Sequence, residues 1–457
     1  VVRPVAVSPD TPPINPKDVA KYGAYSAWRT GPGEDQGRMV DLMPPGYRGA
    51  PAAARLLSFF AMSDIHITDK ESPAQVPYFG WSAPFGKAGL YSQAFSPVLL
   101  STTQVLDAAV RTVNALHQQT PFQFGIMLGD VANSGQVNEL RWFLDVMDGK
   151  LITPSSGAHL GADTIAYQKP FQAAGLDRAI PWYQVVGNHD QFWMGVAYPN
   201  DKLQQALVGS EILNIGVNLF ATNNADATGV YVGVVDGTTR YGDVIKGGPA
   251  AAFPAPPVIT PDPSRRSVVT PASLTATFTG ECWNSSTRPT GHGFAPAQPG
   301  STAACYTFEP AADLPLKVIV LDDTCKAPRP DGGVAYYGSG WIDPERLAWL
   351  TLELQKGQDA GQLMILAAHI PINPQKDLFD VAKDPQFYPG SAQTDAQLIA
   401  TLHGYPNLIL LLAGHRHKNT VTPQPSPDPS HPEYGFWEVE TSSLRDFPRQ
   451  FRTFEIL

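Results

Sequence analysis

Five short stretches of the chain carry side chains that bind metals or move protons. They are Asp64-Ile65-His66, Gly129-Asp130, Gly187-Asn188-His189-Asp190, the single His369, and Gly414-His415-Arg416-His417. Carboxylate, imidazole and carboxamide together make a donor set for divalent transition metals. Each stretch follows a strand-sized apolar run: Leu56–Met62, Phe122–Leu128, Trp182–Val186, Leu363–Ala368 and Leu408–Ala413. Polar residues just past a buried strand are where α/β folds keep their sites, because loops there vary while the sheet holds them still. Alternate residues of an extended chain point the same way, so Asp64 and His66 are expected to face one side together. Any one stretch has a structural explanation, such as a capped turn or a surface histidine. Five in strand-then-donor form do not easily share one.

Helices are expected between these strands. Ser96-Pro97 reads as a helix start running to about Gln118, and a second helix covers roughly Val137–Met147. Asp343-Pro344 starts another, with Leu347, Leu350 and Leu354 on one face up to Gly357. Phe436–Glu440 and Arg452–Leu457 read as closing strands. Val1–Pro51, rich in Pro, Gly and charge, is expected to be a surface arm, leaving 52–457 as one catalytic domain. Between Asp190 and about Leu314 the helical period fades. Tyr231–Val235 and Thr238–Val244 read as a hairpin across Asp236-Gly237, and 191–314 as a cap-like insertion. Within it, His292 stands between two glycines, where a structural or merely exposed role comes first and a substrate contact is the second reading. The pair Asp322-Asp323 is expected to fix its loop through backbone hydrogen bonds.

The whole chain has 457 residues, enough for one large α/β domain with insertions or for two or three smaller ones. Its formal net charge of −10 argues against general nucleic-acid binding, which needs clustered Lys and Arg. No apolar run approaches the ~20 residues of a membrane span. With 44 Pro, little Lys, a start at Val1 and no apolar leader in the first residues, the expectation is a periplasmic or secreted protein whose signal peptide has been removed, with a cytoplasmic one as the alternative. Cys282, Cys305 and Cys325 allow one disulfide, expected as Cys282–Cys305 in the Pro/Gly-rich region, with connectivity open.

In their order along the chain, Asp-x-His, Gly-Asp, Gly-Asn-His-Asp, a lone strand-end His and Gly-His-x-His, these residues resemble the calcineurin-like metallophosphoesterase superfamily. The resemblance implies an α/β fold, a sandwich of two facing mixed β-sheets flanked by helices (α/β/β/α), with the donor loops at one edge. It implies two divalent or mixed-valence transition metal ions (Mn, Fe or Zn). Asp64, His66 and His417 would hold the first, Asn188, His369 and His415 the second, and Asp130 would bridge them. His189 would face the leaving group, oriented by Asp190. The implied activity is hydrolysis of a small organic phosphodiester or phosphomonoester by a metal-bridging hydroxide.

The charges are consistent with that chemistry. Two divalent ions outweigh the carboxylates of Asp64 and Asp130, leaving a positive site for an anionic ester, and two such ions about 3.5–4 Å apart can hold a phosphoryl oxygen and acidify a shared water. Purple acid phosphatases, which resemble this pattern, place a Tyr three residues after the bridging Asp. Here that residue is Asn133, so an Fe(III)–tyrosinate site is not expected. Beyond the last donor, Arg445 is a candidate phosphate contact or a loop brace. The alternative function is a catalytically silent binding or scaffold protein on the same fold, which should have lost donors; none is lost here. A nucleotidase-like enzyme with a separate C-terminal substrate domain is not expected, with only about forty residues here after His417.

Overall fold

The layers follow from strand alternation. In β1 (Leu57–Met62), Leu57, Phe59 and Ala61 point to one face and Phe60 and Met62 to the other, and all five are buried. A strand covered on both faces reads as a nearly unbroken apolar run, which is why LSFFAM lacks polar alternation. The computed structural model describes residues 54–78, 97–162, 167–216, 228–239, 242–269, 288–294, 304–326, 337–374, 391–446 and 449–457, with short pieces before residue 50. The expected arm, Ser96 and Cys282 lie largely or wholly outside these residues.

After β1 come α1 (Thr102–Gln119), β2 (Phe124–Met127), α2 (Val137–Met147) and β3 (Trp182–Gln184). A 3₁₀ turn over Pro97–Ser101 precedes α1, so the α-helix proper starts later than Ser96-Pro97 suggested. The start of α2 is fixed by a capping box between Gln136 and Glu139. β1 pairs with β2 and β2 with β3 in parallel, so all three present their carboxyl ends at one edge.

Then follow α3 (Asp201–Val208), β4 (Asn214–Ile215), β5 (Val230–Val234) and β6 (Ile245–Pro249), the strands forming a small antiparallel sheet in the order β6-β5-β4. Its core of Trp193, Leu203, Leu207, Ile212, Tyr231, Val232 and Val234 is shared with Ala74 and Val76. The tight hairpin expected across Asp236-Gly237 does not form, because β5 pairs from Ile245 onward instead. The Asp236 carboxylate accepts the Thr238 N–H at 3.0 Å, a local turn bond that competes with the strand ladder.

The second large sheet is built from β7 (Tyr306–Phe308), β8 (Leu316–Val320), β9 (Leu363–Ala367), β10 (Leu408–Ala413), β11 (Thr420–Gln424) and β12 (Phe436–Glu440), in the order β7-β8-β9-β10-β12-β11. β8, β9, β10 and β12 run parallel. α4 (Pro344–Asp359) and α5 (Asp395–Leu402) cover its outer face. The Asp343 side chain caps α4 by accepting the Arg346 N–H, with Pro344 at the first position. The last strand, β13 (Arg452–Ile456), returns antiparallel to β1.

Leu57, Phe59, Phe124 and Ile126 of one sheet meet Val318, Val320, Ile365, Ala367 and Leu412 of the other. The opposite face of the first sheet, through Phe60, Met62 and Met127, meets Leu106, Val110, Leu140 and Phe143 of α1 and α2. The result is the expected α/β/β/α sandwich of two facing mixed sheets flanked by helices. Each fully buried Leu, Val or Phe contributes about 1.5–3 kcal/mol to it. Asp323 behaves as expected, accepting the backbone N–H groups of His369 and Ile370, while Asp322 accepts from Thr324. The expected Cys282–Cys305 disulfide is not formed. Cys305 is a free thiol that accepts the Asp322 N–H, and burial pushes it up to about 12. Among the described residues no helix is long and apolar enough to cross a membrane.

Candidate metal centre

The ends of β1, β2, β3, β9 and β10 bring Asp64, His66, Asp130, Asn188, His369, His415 and His417 together. They do not arrive by the expected route. Asp64 and His66 are not on extended chain; both are left-handed, with φ of 50° and 49°. Asp130, His415 and His417 share this conformation, at 54°, 71° and 59°. Side chains with a Cβ seldom adopt it, and each instance costs of order 1–3 kcal/mol. Hydrogen bonds between loops hold it: Asp64 N–H donates to Gly129 O, His66 N–H to Asp130 O, and His415 N–H to Asp64 Oδ2. The loops also approach too closely for a Cβ at their glycines. One added at Gly187 would lie 2.1 Å from Asp130 Oδ1, and one at Gly414 would lie 1.8 Å from Ser63 Oγ.

Two donor groups result, Asp64–His66–His417 and Asp130–His369–His415. In the first, His417 Nε2 is 3.2 Å from Asp64 Oδ1 and 3.1 Å from His66 Nε2. In the second, His369 Nε2 lies 3.2 Å from Asp130 Oδ2 and 3.0 Å from Asn188 Oδ1, which is 3.2 Å from His415 Nδ1. Asp130 Oδ2 is also 3.8 Å from His66 Nε2, so this carboxylate stands between the groups. His66, Asp130 and His189 form a third overlapping group.

The rings are held from behind. His369 Nδ1 meets Leu128 O at 2.6 Å and His189 Nδ1 meets Asn133 O at 2.6 Å. A carbonyl can only accept, so in both rings Nδ1 carries the proton and, in the neutral ring, Nε2 presents its lone pair. The orienting group of His189 is therefore the Asn133 carbonyl and not Asp190. The Asp190 carboxylate is spent on four backbone donors, with Oδ1 accepting Val131 and Ala132 N–H and Oδ2 accepting Asp130 and Gly187 N–H. Arg445, expected as a phosphate contact or brace, is buried and donates to Asn133 Oδ1 at 2.5 Å, which makes it a brace. Arg416 turns to Glu440, at 3.0 Å.

His292 is corrected outright. It stacks on the Trp182 ring with centroids 3.4 Å apart and donates from Nδ1 to Trp182 O, at the start of β3 and so at the end of that strand away from the donors. Burial holds its imidazole down at about 4. It braces the fold and cannot meet a substrate at the cluster. His292→Ala is expected to lower stability by about 1–3 kcal/mol in thermal unfolding and to leave kcat/KM unchanged; a selective loss of activity would restore it to the site.

Sequence reasoning missed Asp446, which meets His417 Nδ1 at 2.5 Å, and Glu139, whose carboxylate accepts the N–H groups of Asn133 and Ser134 and so sets the turn that holds His189. Asp446 follows the end of β12, parallel to β10, so the strand-end rule applied to that strand points to it. Glu139 carries no such signal; its place in the turn shows only in the structure.

The electrostatics fit a cation. Asp64 Oδ1 is fully buried and accepts no hydrogen bond, although two imidazole nitrogens converge on it. Burial disfavours charge on every histidine here and holds His66 below its ordinary range and His189 down at about 3. On His369 and His417 the carboxylates of Asp130 and Asp64 outweigh burial and hold the rings up at about 10 and about 9. Two buried carboxylates thus draw positive charge into the cluster, a demand that divalent ions on neutral imidazoles meet.

No family model and no curated protein matches the chain. Among solved structures it is similar to a dimetal phosphatase from Danio rerio, at 12% identity over 88% of this chain and 92% of that one, with a TM-score of 0.40. It is also similar to a purple acid phosphatase from yellow lupin (Lupinus luteus) seeds, at 11% identity over 84% of this chain and 43% of that one, with a TM-score of 0.33. A structure of PhoD is 10% identical over 87% of this chain and 58% of that one, with a TM-score of 0.32.

Proposed function

We propose that this chain, resembling the calcineurin-like metallophosphoesterases in its sandwich and in the order of its donors, hydrolyses a phosphoester with two metal ions. The observation that carries the reading is the convergence of two donor groups on one buried edge, with Asp130 between them. Asp64, His66 and His417 would hold one ion, Asn188, His369 and His415 the other, and Asp130 would serve both. Mn, Fe and Zn all suit this donor set. When bound, such a pair supplies Lewis acidity toward a phosphoryl oxygen and a nucleophile at neutral pH.

The remaining work falls to the chain itself. His189 sits edge-on to His66, with ring centroids 4.5 Å apart. Because the neutral ring's one proton is committed to Asn133 O through Nδ1, His189 would give a proton to the departing oxygen only after taking one up at Nε2, as the imidazolium. Asp190 and Glu139 hold the loops that carry Asp130 and Asn133, so neither needs to touch substrate. We take the part of 191–314 that carries β4, β5 and β6 as a wall over the site, and 52–457 as one catalytic unit. That arrangement favours a small organic phosphoester, and the net charge of −10 disfavours nucleic acid.

The test is turnover by stripped protein reloaded separately with Mn, Fe(II) and Zn, on an aryl phosphomonoester and its bis-aryl diester. A diester preference assigns a pocket for two ester groups, and a monoester preference assigns phosphatase chemistry. Two bound metals without turnover overturn the catalytic reading in favour of a binding protein. His189→Ala should retain metal and lose about 10²–10⁴-fold in kcat on substrates with poor leaving groups, and much less on nitrophenyl esters. Equal slowing of both would count against the proton role.

A further inference from the structure

The turn after β12 supplies none of the expected donors, yet it touches three loops that do the holding. Ser443 Oγ donates to Asp64 O at 2.7 Å, and Arg445 reaches Asn133. Asp446 Oδ2 meets His417 Nδ1 at 2.5 Å. The turn is closed on itself, since Ser443 Oγ also accepts the Arg445 and Asp446 N–H groups at 2.9 and 3.2 Å. Thus one five-atom side chain fixes the backbone of Asp64 and the placement of Asp446 at once.

We propose that Asp446 is a positioning residue for the Asp64–His66–His417 site, aligning the His417 ring and strengthening its Nε2 as a donor. The inference rests on the two-metal reading. An ionised carboxylate can only accept, so the His417 proton lies on Nδ1 and Nε2 is turned toward Asp64 Oδ1, 3.2 Å away. A charged acceptor on one ring nitrogen raises the electron density at the other, which makes the imidazole a stronger ligand. Among the described residues, the other half of the cluster has no such partner. Its His369 is held through Nδ1 by the neutral carbonyl of Leu128. The two sites are therefore built unequal. The carboxylate behind His417 acts on one of them alone.

The side chain of Asp446 is 22% exposed, so its replacement does not open a hole in the core. The experiment titrates metal-stripped wild type, Asp446→Ala and Asp446→Asn with Zn(II) and with Mn(II) by calorimetry, with metal content counted by mass spectrometry and folding checked by circular dichroism. Wild type should take up two ions. Asp446→Ala should weaken one of the two by about 10–100-fold and leave the other unchanged. Asp446→Asn keeps an acceptor for Nδ1 but removes the charge, and should fall between.

Unchanged affinities in a folded Asp446→Ala protein would overturn the inference while leaving the two-metal reading intact. Equal weakening of both ions would also overturn it, making Asp446 a general brace of the edge. A wild type that takes up no metal would overturn the two-metal reading first, and this inference with it.

Discussion

Asp130→Asn is expected to remove metal-dependent turnover, with kcat/KM falling by at least about 10³-fold, while the protein stays folded. The size of the effect follows from where the carboxylate stands. Asp130 Oδ2 lies 3.2 Å from His369 Nε2 and 3.8 Å from His66 Nε2, so it belongs to two of the three overlapping donor groups and stands next to the third through His66. Losing one well-placed charge-stabilising group costs about 10²–10³ in rate, and here the same substitution weakens two sites together. Asparagine is the informative replacement because its oxygen can still accept the His189 N–H that Asp130 Oδ1 accepts now, at 2.8 Å. The loop therefore keeps its bond while the charge is lost. Metal counting and steady-state turnover on the same preparation check the result. Full activity in the Asn variant would show that the centre is misassigned.

Asp190 is expected to have the larger effect on the fold. Its two oxygens accept four backbone N–H groups from Gly187, Asp130, Val131 and Ala132, all in the interior. Truncation to Ala leaves those donors without partners, at about 1–3 kcal/mol for each that water cannot reach. A loss of about 4 kcal/mol or more in chemical denaturation is the expected outcome. Asp190→Asn should be nearly as damaging, because whichever way the amide lies, its NH₂ faces two backbone donors. Metal binding should fall with stability in both variants. A stable Asp190→Ala protein impaired only in turnover would instead return Asp190 to a role on His189.

The strand-end rule read the edge well because it depends on short-range facts. A buried strand must be apolar, the chain must turn where it ends, and the first polar side chains after it lie on that edge. This is why β10 has the bounds that the sequence reading gave and α2 falls on its approximate span, and why the donor stretches end up as neighbours. What was not legible was conformation within the turns. Extended geometry was the natural assumption for Asp64-Ile65-His66, yet the left-handed backbone there is imposed by bonds to the Gly129-Asp130 loop, some 65 residues away. The role of Asp190 was lost for a related reason. Adjacency to His189 suggested a side-chain pair, whereas the cheaper solution is to satisfy backbone donors that no strand can reach. For His292 a histidine between glycines left a structural and a substrate role both open, and only the packed sandwich shows that Trp182 lies flat against it.

The donors are divided between the two sheets. Asp64, His66, Asp130 and Asn188 extend from β1, β2 and β3, while His369, His415 and His417 extend from β9 and β10. Away from this edge the sheets meet through apolar side chains such as Phe59, Phe124, Val318 and Leu412, which hold without fixing direction. At the edge the contacts are directional and cross from one sheet to the other, as between His417 and Asp64 or His369 and Asn188. On the two-metal reading, cofactor affinity and the relative placement of the two halves are then coupled: ions held across this edge would also lock the sheets in register, and sliding of the sheets would loosen the grip.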